Sequence, residues 1–145
     1  MAGVSAKDPC PCGSGYRYAK CCRRYHRGEE IPPDALRTMK SRYSAYAVAD
    51  ARYIMETTHR DNPDYGKDPL KWREEIERFC REESFESLHI VSFEDGEDEA
   101  FVTFIARLGS GTMREKSRFV EVGGRWLYIE AVDIGIQRGV NSSSL

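Results

Sequence analysis

The sequence predicts an α+β chain in which a small cysteine-rich head precedes helices packed on one face of an antiparallel sheet. Three observations lead there. Four of the five cysteines fall within residues 10–22. Apolar residues then recur at three- and four-residue spacing until about residue 82, and from Phe85 onward the period changes to two. The connections within this last region are short and rich in turn-forming residues, so helices come first and a meander follows, which segregates the helices to one side of the sheet.

The head is read from Cys-x-Cys, eight residues, then Cys-Cys. Cys10 and Cys12 face Cys21 and Cys22 across a loop that holds Gly13, Ser14 and Gly15. Two ligand pairs joined by a tight turn suit a tetrahedral metal, and a site closed by four thiolates leaves no open position for water or substrate. The spacing therefore predicts one structural Zn2+, with iron as the other metal that such a thiolate site accepts. Glycines in the loop allow positive φ and let backbone N–H groups approach the sulfurs. Three other assignments remain open at this point: a redox pair formed by the adjacent Cys21 and Cys22, reactive unpaired thiols, and His26 in place of Cys22 as the fourth ligand.

Residues 28–34, Gly-Glu-Glu-Ile-Pro-Pro-Asp, read as a linker whose Asp34 caps a helix. Ala35, Leu36, Met39, Tyr43, Tyr46 and Ala47 form one side of that helix. A second helix starts at Asp50 and runs through Tyr53, Ile54 and Met55. Asn62, Pro63 and Gly66 then break the pattern. A third helix over Pro69–Glu82 places Leu70, Trp72, Ile76, Phe79 and Cys80 on its inner stripe, with Cys80 as a small core residue.

Four strands follow at about 86–94, 99–108, 112–122 and 125–132, joined by residues 94–98, Gly109-Ser110-Gly111 and Gly123-Gly124. A two-residue turn at Gly123-Gly124 sets Val122 opposite Arg125, Phe119 opposite Tyr128 and Ser117 opposite Glu130. One face of this hairpin then carries Glu115, Ser117, Phe119, Trp126, Tyr128, Glu130 and Val132. The other carries Val120, Val122, Leu127, Ile129 and Ala131 with Arg118. Both faces are rich in apolar groups, which predicts that the helices cover one and the head or a second subunit covers the other.

The bulk numbers fit one main domain with an appendage: 145 residues, 40% hydrophobic, with a formal net charge of −2. Charge is uneven. Residues 1–30 hold six Lys or Arg against three acids, leaving 16 bases and 21 acids for the rest, so a basic head sits on an acidic body. No apolar run approaches the roughly 20 residues of a membrane span, and the amino terminus lacks the pattern of a secretory signal. The expectation is a cytoplasmic protein with no membrane partner, in a reducing compartment where clustered thiols serve metals more often than disulfides.

The stretch Cys10-Pro-Cys-Gly-Ser-Gly-Tyr-Arg-Tyr-Ala-Lys-Cys-Cys22 resembles the SEC-C motif, the zinc-binding module at the carboxyl end of the protein-translocation ATPase SecA. The resemblance implies Cys10, Cys12, Cys21 and Cys22 as ligands and a use in protein interaction, since the SecA copy contacts an acidic chaperone and the ribosome. Here Tyr16, Arg17 and Ala19 replace part of the usual lysine-rich run. Arg42-Tyr-Ser-Ala-Tyr46, Arg114-Glu-Lys-Ser-Arg-Phe119 and Gly124-Arg-Trp-Leu-Tyr128 are similar to the middle domain of YchJ-like bacterial proteins. That family joins an amino-terminal SEC-C motif to a nuclear-transport-factor-2-like domain, which implies a cone of three helices on a curved antiparallel sheet. The chain accordingly divides into residues 1–30, residues 31–133 and a tail, 134–145, expected to be disordered.

Two functions of different class emerge. In the first, the head docks on an acidic protein or on the ribosome through Arg17, Lys20, Arg23 and Arg24, by charge steering and stacking, and the sheet face with Val120, Leu127 and Ile129 is available for a homodimer. In the second, the cone pocket serves an enzyme or small-molecule carrier, with Tyr43, Tyr46, Glu115, Ser117 and Glu130 as its candidate residues. Two carboxylates on adjacent strands, shielded from water, would push one pKa up and create a general acid or base. As structural residues, the same two carboxylates would pair with Arg42 or Arg118. The sequence holds no phosphate-binding glycine loop, nucleophile elbow or metalloprotease helix signature.

Overall fold

A computed structural model describes residues 4–66 and 68–138. A 3-10 turn over Tyr18–Lys20 and the short helix α1 (Cys22–His26) complete the cysteine-rich knuckle. Helices α2 (Ala35–Ala47), α3 (Ala51–Glu56) and α4 (Pro69–Glu82) follow, then strands β1 (Phe85–Glu94), β2 (Glu99–Leu108), β3 (Gly111–Val122) and β4 (Arg125–Arg138). The strands form one antiparallel sheet in the order β1-β2-β3-β4. The helix starts are set by side-chain caps: Asp34 accepts from the Arg37 N–H, Asp50 from Tyr53 and Asp68 from Leu70.

The helices lie against one face of the sheet. Ala35, Met39 and Tyr43 of α2 meet Ala100, Val102, Phe104, Ala106 and Leu108 of β2, together with Phe119 and Trp126. A second cluster joins Tyr25 of the knuckle to Ala45, Ala51, Tyr53, Ile54, Trp72 and Ile76. Cys80 is half-buried against this second cluster, as its place on the α4 stripe predicts. Leu70 does not belong to that stripe and is 72% exposed. It lies two positions before Trp72, about 200° round the helix from the Trp72–Ile76 line.

The knuckle sits on the helices, not on the outer face of the sheet. His26 is the pin. One ring nitrogen, Nδ1, pairs with the Tyr18 hydroxyl at 2.7 Å, the other, Nε2, lies 2.8 Å from the carbonyl of Ser41, and the ring meets Tyr53 edge-on with centroids 4.7 Å apart. Arg52 donates to the His26 carbonyl at 2.7 Å, and Cys10 Sγ lies 3.5 Å from the Ser44 hydroxyl. Helix α2 is thus sandwiched, and Ser41, Ser44 and Ala45 are fully buried because they face the knuckle and α3.

The last hairpin corrects the predicted register. Gly123 and Gly124 have φ of 60° and 84°, which suits a type I′ turn, and Val122–Arg125 and Phe119–Tyr128 pair as expected. Beyond Tyr128 the ladder shifts: Arg118 pairs with Glu130, and Ser117 with Ala131. Ile129 is therefore an extra residue, a β-bulge, and a slip of one residue turns Glu130 to the opposite face. The bulge has a physical anchor in the segment after α3. Asn62 donates to the Ile129 carbonyl at 2.9 Å, while Thr57 and His59 exchange backbone bonds with Tyr128, both 2.8 Å. A second shift passes over Val132 and brings Glu115 opposite Ile134 and Met113 opposite Ile136.

Strand β4 also runs to Arg138, past the expected end at residue 132. Residues 134–138 of the expected disordered tail are strand, and 139–145 lie outside the described residues.

Candidate functional site

The knuckle brings Cys10, Cys12, Cys21 and Cys22 together. Their four Sγ atoms lie within 4.8 Å of one another, and no cysteine is in a disulfide. Cys12 and Cys21 Sγ are 3.6 Å apart. Four sulfurs at 2.3 Å from a central zinc would stand about 3.8 Å from each other, so the spacing fits a tetrahedral thiolate site. Gly13 and Gly15, at φ of 81° and 88°, make the turn that returns the chain toward Cys21.

Electrostatics prepare the cluster for a cation. Hydrogen bonding from Cys12 and Cys22 pulls the Cys10 thiol far below its ordinary range. Cys22, helped by the Ser14 hydroxyl 3.1 Å away, brings the Cys21 thiol down to about 6. Cys12 and Cys22 move upward because they hold the shared protons, Cys12 to about 11. A metal ion would displace those protons and take all four sulfurs. His26 is not part of the cluster, since both of its ring nitrogens are engaged 2.7 and 2.8 Å from other groups.

Beside the knuckle a groove of about 450 Å³ runs between the cysteine cluster and α2. Lys20, Arg24, Arg37 and Lys40 line it with Tyr16, Tyr25 and Leu36, and no carboxylate among the described residues does. Of the four predicted docking residues, Lys20 and Arg24 belong to this groove, while Arg17 and Arg23 lie outside its lining. Arg24 is tied to Glu30 at 3.2 Å and Arg37 to Asp34 at 2.8 Å. Arg37 and Lys40, from the second domain, were invisible to a reading confined to residues 1–30.

The cone has its own cavity, about 260 Å³, between α2, α4 and the sheet. Tyr43, Tyr46, Glu115 and Ser117 all line it, with Arg42 and Tyr128. Glu130 does not. The bulge at Ile129 points it outward to an ion pair with Arg118 Nη1 at 3.0 Å, and Arg118 Nε also meets Glu99 at 2.5 Å. The pair of shielded carboxylates expected from the unbroken register is thus a single one. Glu115 Oε2 accepts from Ser117 Oγ at 2.5 Å and from the Tyr128 hydroxyl at 3.0 Å.

Arg42, also buried, donates through Nη1 to the Ile54 carbonyl and the hydroxyls of Thr57 and Thr58, and its guanidinium stacks 4.7 Å over the Tyr128 ring. Burial pushes the Tyr43 phenol up to about 12, and burial beside Glu115 raises Tyr128 further, so both keep their protons near neutral pH. Among the described residues His59 and His89 stay outside both sites. His59 Nδ1 accepts from the Asp61 N–H at 3.0 Å, and His89 lies in β1 opposite Ile105.

A closed cysteine knuckle docked on a cone of helices and curved sheet defines a SEC-C module joined to an NTF2-like domain. Comparison with known proteins agrees: residues 7–24 match the SEC-C motif, and residues 34–131 match the family described as YchJ, middle NTF2-like domain. The chain belongs to this YchJ family, whose curated relatives are called UPF0225 proteins. It is 39% identical over 126 residues to a UPF0225 protein of Deinococcus radiodurans, spanning 86% of this chain and 89% of that one. To a UPF0225 protein of Enterobacter sp. strain 638 it is 35% identical, over 83% of this chain and 80% of that one.

Among solved structures, it superposes on a SEC-C motif containing protein from Rhodopseudomonas palustris with a TM-score of 0.70 at 30% identity, over 84% of this chain and 95% of that one. A SEC-C motif containing protein from Psychrobacter arcticus shares the fold, with a TM-score of 0.73 at 22% identity over 93% and 86% of the two chains. No helix among the described residues is long and apolar enough to cross a membrane.

Proposed function

We propose that this protein is a zinc-stabilised interaction module that grips an acidic segment of another protein in the groove between its knuckle and α2. Cys10, Cys12, Cys21 and Cys22 hold one Zn2+, which fixes shape and does no chemistry, since four thiolates close the coordination sphere. The observation that carries the reading is the lining of the groove: among the described residues, four cationic side chains, two tyrosines and no acid. Lys20 and Lys40 have no ion-pair partner among the described residues, so their charge is available to a ligand. An extended acidic peptide would add carboxylates to these ammonium groups and lay apolar stems on the exposed Tyr16. Charge steering of this kind gives weak, fast, salt-sensitive binding.

The test uses the metal-loaded protein and a fluorescein-labelled oligoglutamate peptide, followed by anisotropy across a salt series, with purified ribosomes in a parallel pelleting assay. Binding at low salt that falls at least roughly tenfold in Lys20→Glu/Lys40→Glu, with an unchanged melting temperature, is expected. Binding insensitive to that double charge reversal refutes the groove. Capture of ribosomes without capture of the peptide would assign the groove to RNA and overturn the protein partner.

A further inference from the structure

We propose that the cavity of the cone binds a small amphipathic molecule: an aromatic or aliphatic body of about ten heavy atoms carrying one N–H or O–H donor directed at Glu115. This site is separate from the knuckle and does not depend on its reading. The size follows from the space. A cavity of roughly 150 Å³ lined by Leu, Ile and Phe holds a benzene molecule, and this one measures about 260 Å³. The body is set by the walls, which include Met39, Phe79, Phe104 and Met113.

The polar end is set by Glu115. Its side chain is about nine-tenths buried, at 9% exposure, and its Oε2 already accepts from both Ser117 and Tyr128. Oε1 receives no hydrogen bond from the described residues. A carboxylate oxygen beside an apolar cavity is costly unless a donor reaches it, and Oε1, which is not shut away from a water-sized molecule, is open to a donor carried by what fills the space. Arg42 faces the same cavity, but its Nη1 is committed to Ile54, Thr57 and Thr58, none of which lines the cavity. Strand β4 leaves apolar surface open beside this end of the cavity. Ile134 and Ile136, opposite Glu115 and Met113 in the ladder, are 52% and 46% exposed, so the sheet beside the carboxylate reaches solvent.

A series with one body and four heads tests this on the full chain: phenethylamine, 2-phenylethanol, ethylbenzene and 3-phenylpropionate, titrated by NMR. The amine and the alcohol should bind about tenfold or more tightly than ethylbenzene, with the anion weakest, because a hydrogen bond to a charged group adds roughly that factor. Glu115→Gln should weaken the amine about tenfold and leave ethylbenzene unchanged. In the wild type, the methyl signals of Met39 and Met113 should shift on binding, which keeps the test decisive if the variant does not fold. No binding by any member at millimolar concentration, shifts confined to surface residues, or an order that favours ethylbenzene would overturn the proposal and leave the cavity to water. Tightest binding by 3-phenylpropionate would overturn it in favour of Arg42.

Discussion

Replacing His26 by Ala separates a docking residue from a metal ligand, and the structure sets the size of the effect. The imidazole is 4% exposed and bonded at both nitrogens. Its removal leaves the buried Tyr18 hydroxyl without a partner, worth ~1–3 kcal/mol. Two ring contacts are lost as well, with Tyr18 at 5.6 Å and Tyr53 at 4.7 Å between centroids, each worth ~0.5–1.5 kcal/mol. The Ser41 carbonyl sits inside α2 and keeps its helical bond, so it adds little. The expected loss is ~2–6 kcal/mol, a large part of the ~5–15 kcal/mol by which a domain is stable.

Urea unfolding of metal-loaded protein measures the loss, and mass spectrometry on the same sample should still find one zinc per chain. The pH dependence has a definite sign. Burial holds the His26 imidazole below its ordinary 6.5, so as pH falls the unfolded chain takes up this proton first. The contribution is complete above pH 6.5 and shrinks as pH drops below it, and the slope over that range should be shallower in the variant. A stability change under ~1 kcal/mol would refute the pinning role. Loss of the metal with little loss of stability would make His26 a ligand and refute the four-cysteine site.

Two further substitutions probe the cone. Tyr43→Phe removes a buried hydroxyl that has no hydrogen-bond partner, so it should leave stability unchanged or raise it by ~0.5–1 kcal/mol, read as a melting temperature up by about 2–4 °C; a drop of that size would mean that the hydroxyl is satisfied. Glu130→Gln touches only the half-exposed pair with Arg118 and should cost at most ~0.5 kcal/mol in urea unfolding, whereas a large loss, or an effect on cavity binding equal to that of Glu115→Gln, would restore the unbulged register.

The parts of the fold that could be read from sequence are those where local chemistry decides. The cysteine spacing, the Asp34 cap, the helix start at Asp50, the Gly123-Gly124 turn and the switch of period at Phe85 each act within a few residues, and each appears where the sequence places it. Helix α2 was half legible. Its apolar side, Ala35, Met39 and Tyr43, faces the sheet as read, but its other buried side is built from Ser41, Ser44 and Ala45. Small and polar residues there carry no hydrophobic period, because what they contact is the knuckle, and close approach rather than apolar area selects them.

The misplacement of Glu130 has a different origin, and it bears on the cavity. Pairing by counting from a tight turn holds only while the ladder is unbroken, and nothing within β4 announces that Ile129 will be skipped. The cause lies sixty-seven positions earlier, in the Asn62 amide that bonds the Ile129 carbonyl, while Thr57 and His59 secure Tyr128 next to it. This long-range contact reverses the face of every residue from Glu130 to the next shift at Val132. It sends Glu130 out to Arg118 and leaves Glu115 as the one carboxylate of the predicted pair inside. What remains is one acceptor among apolar walls, the feature on which the binding proposal rests.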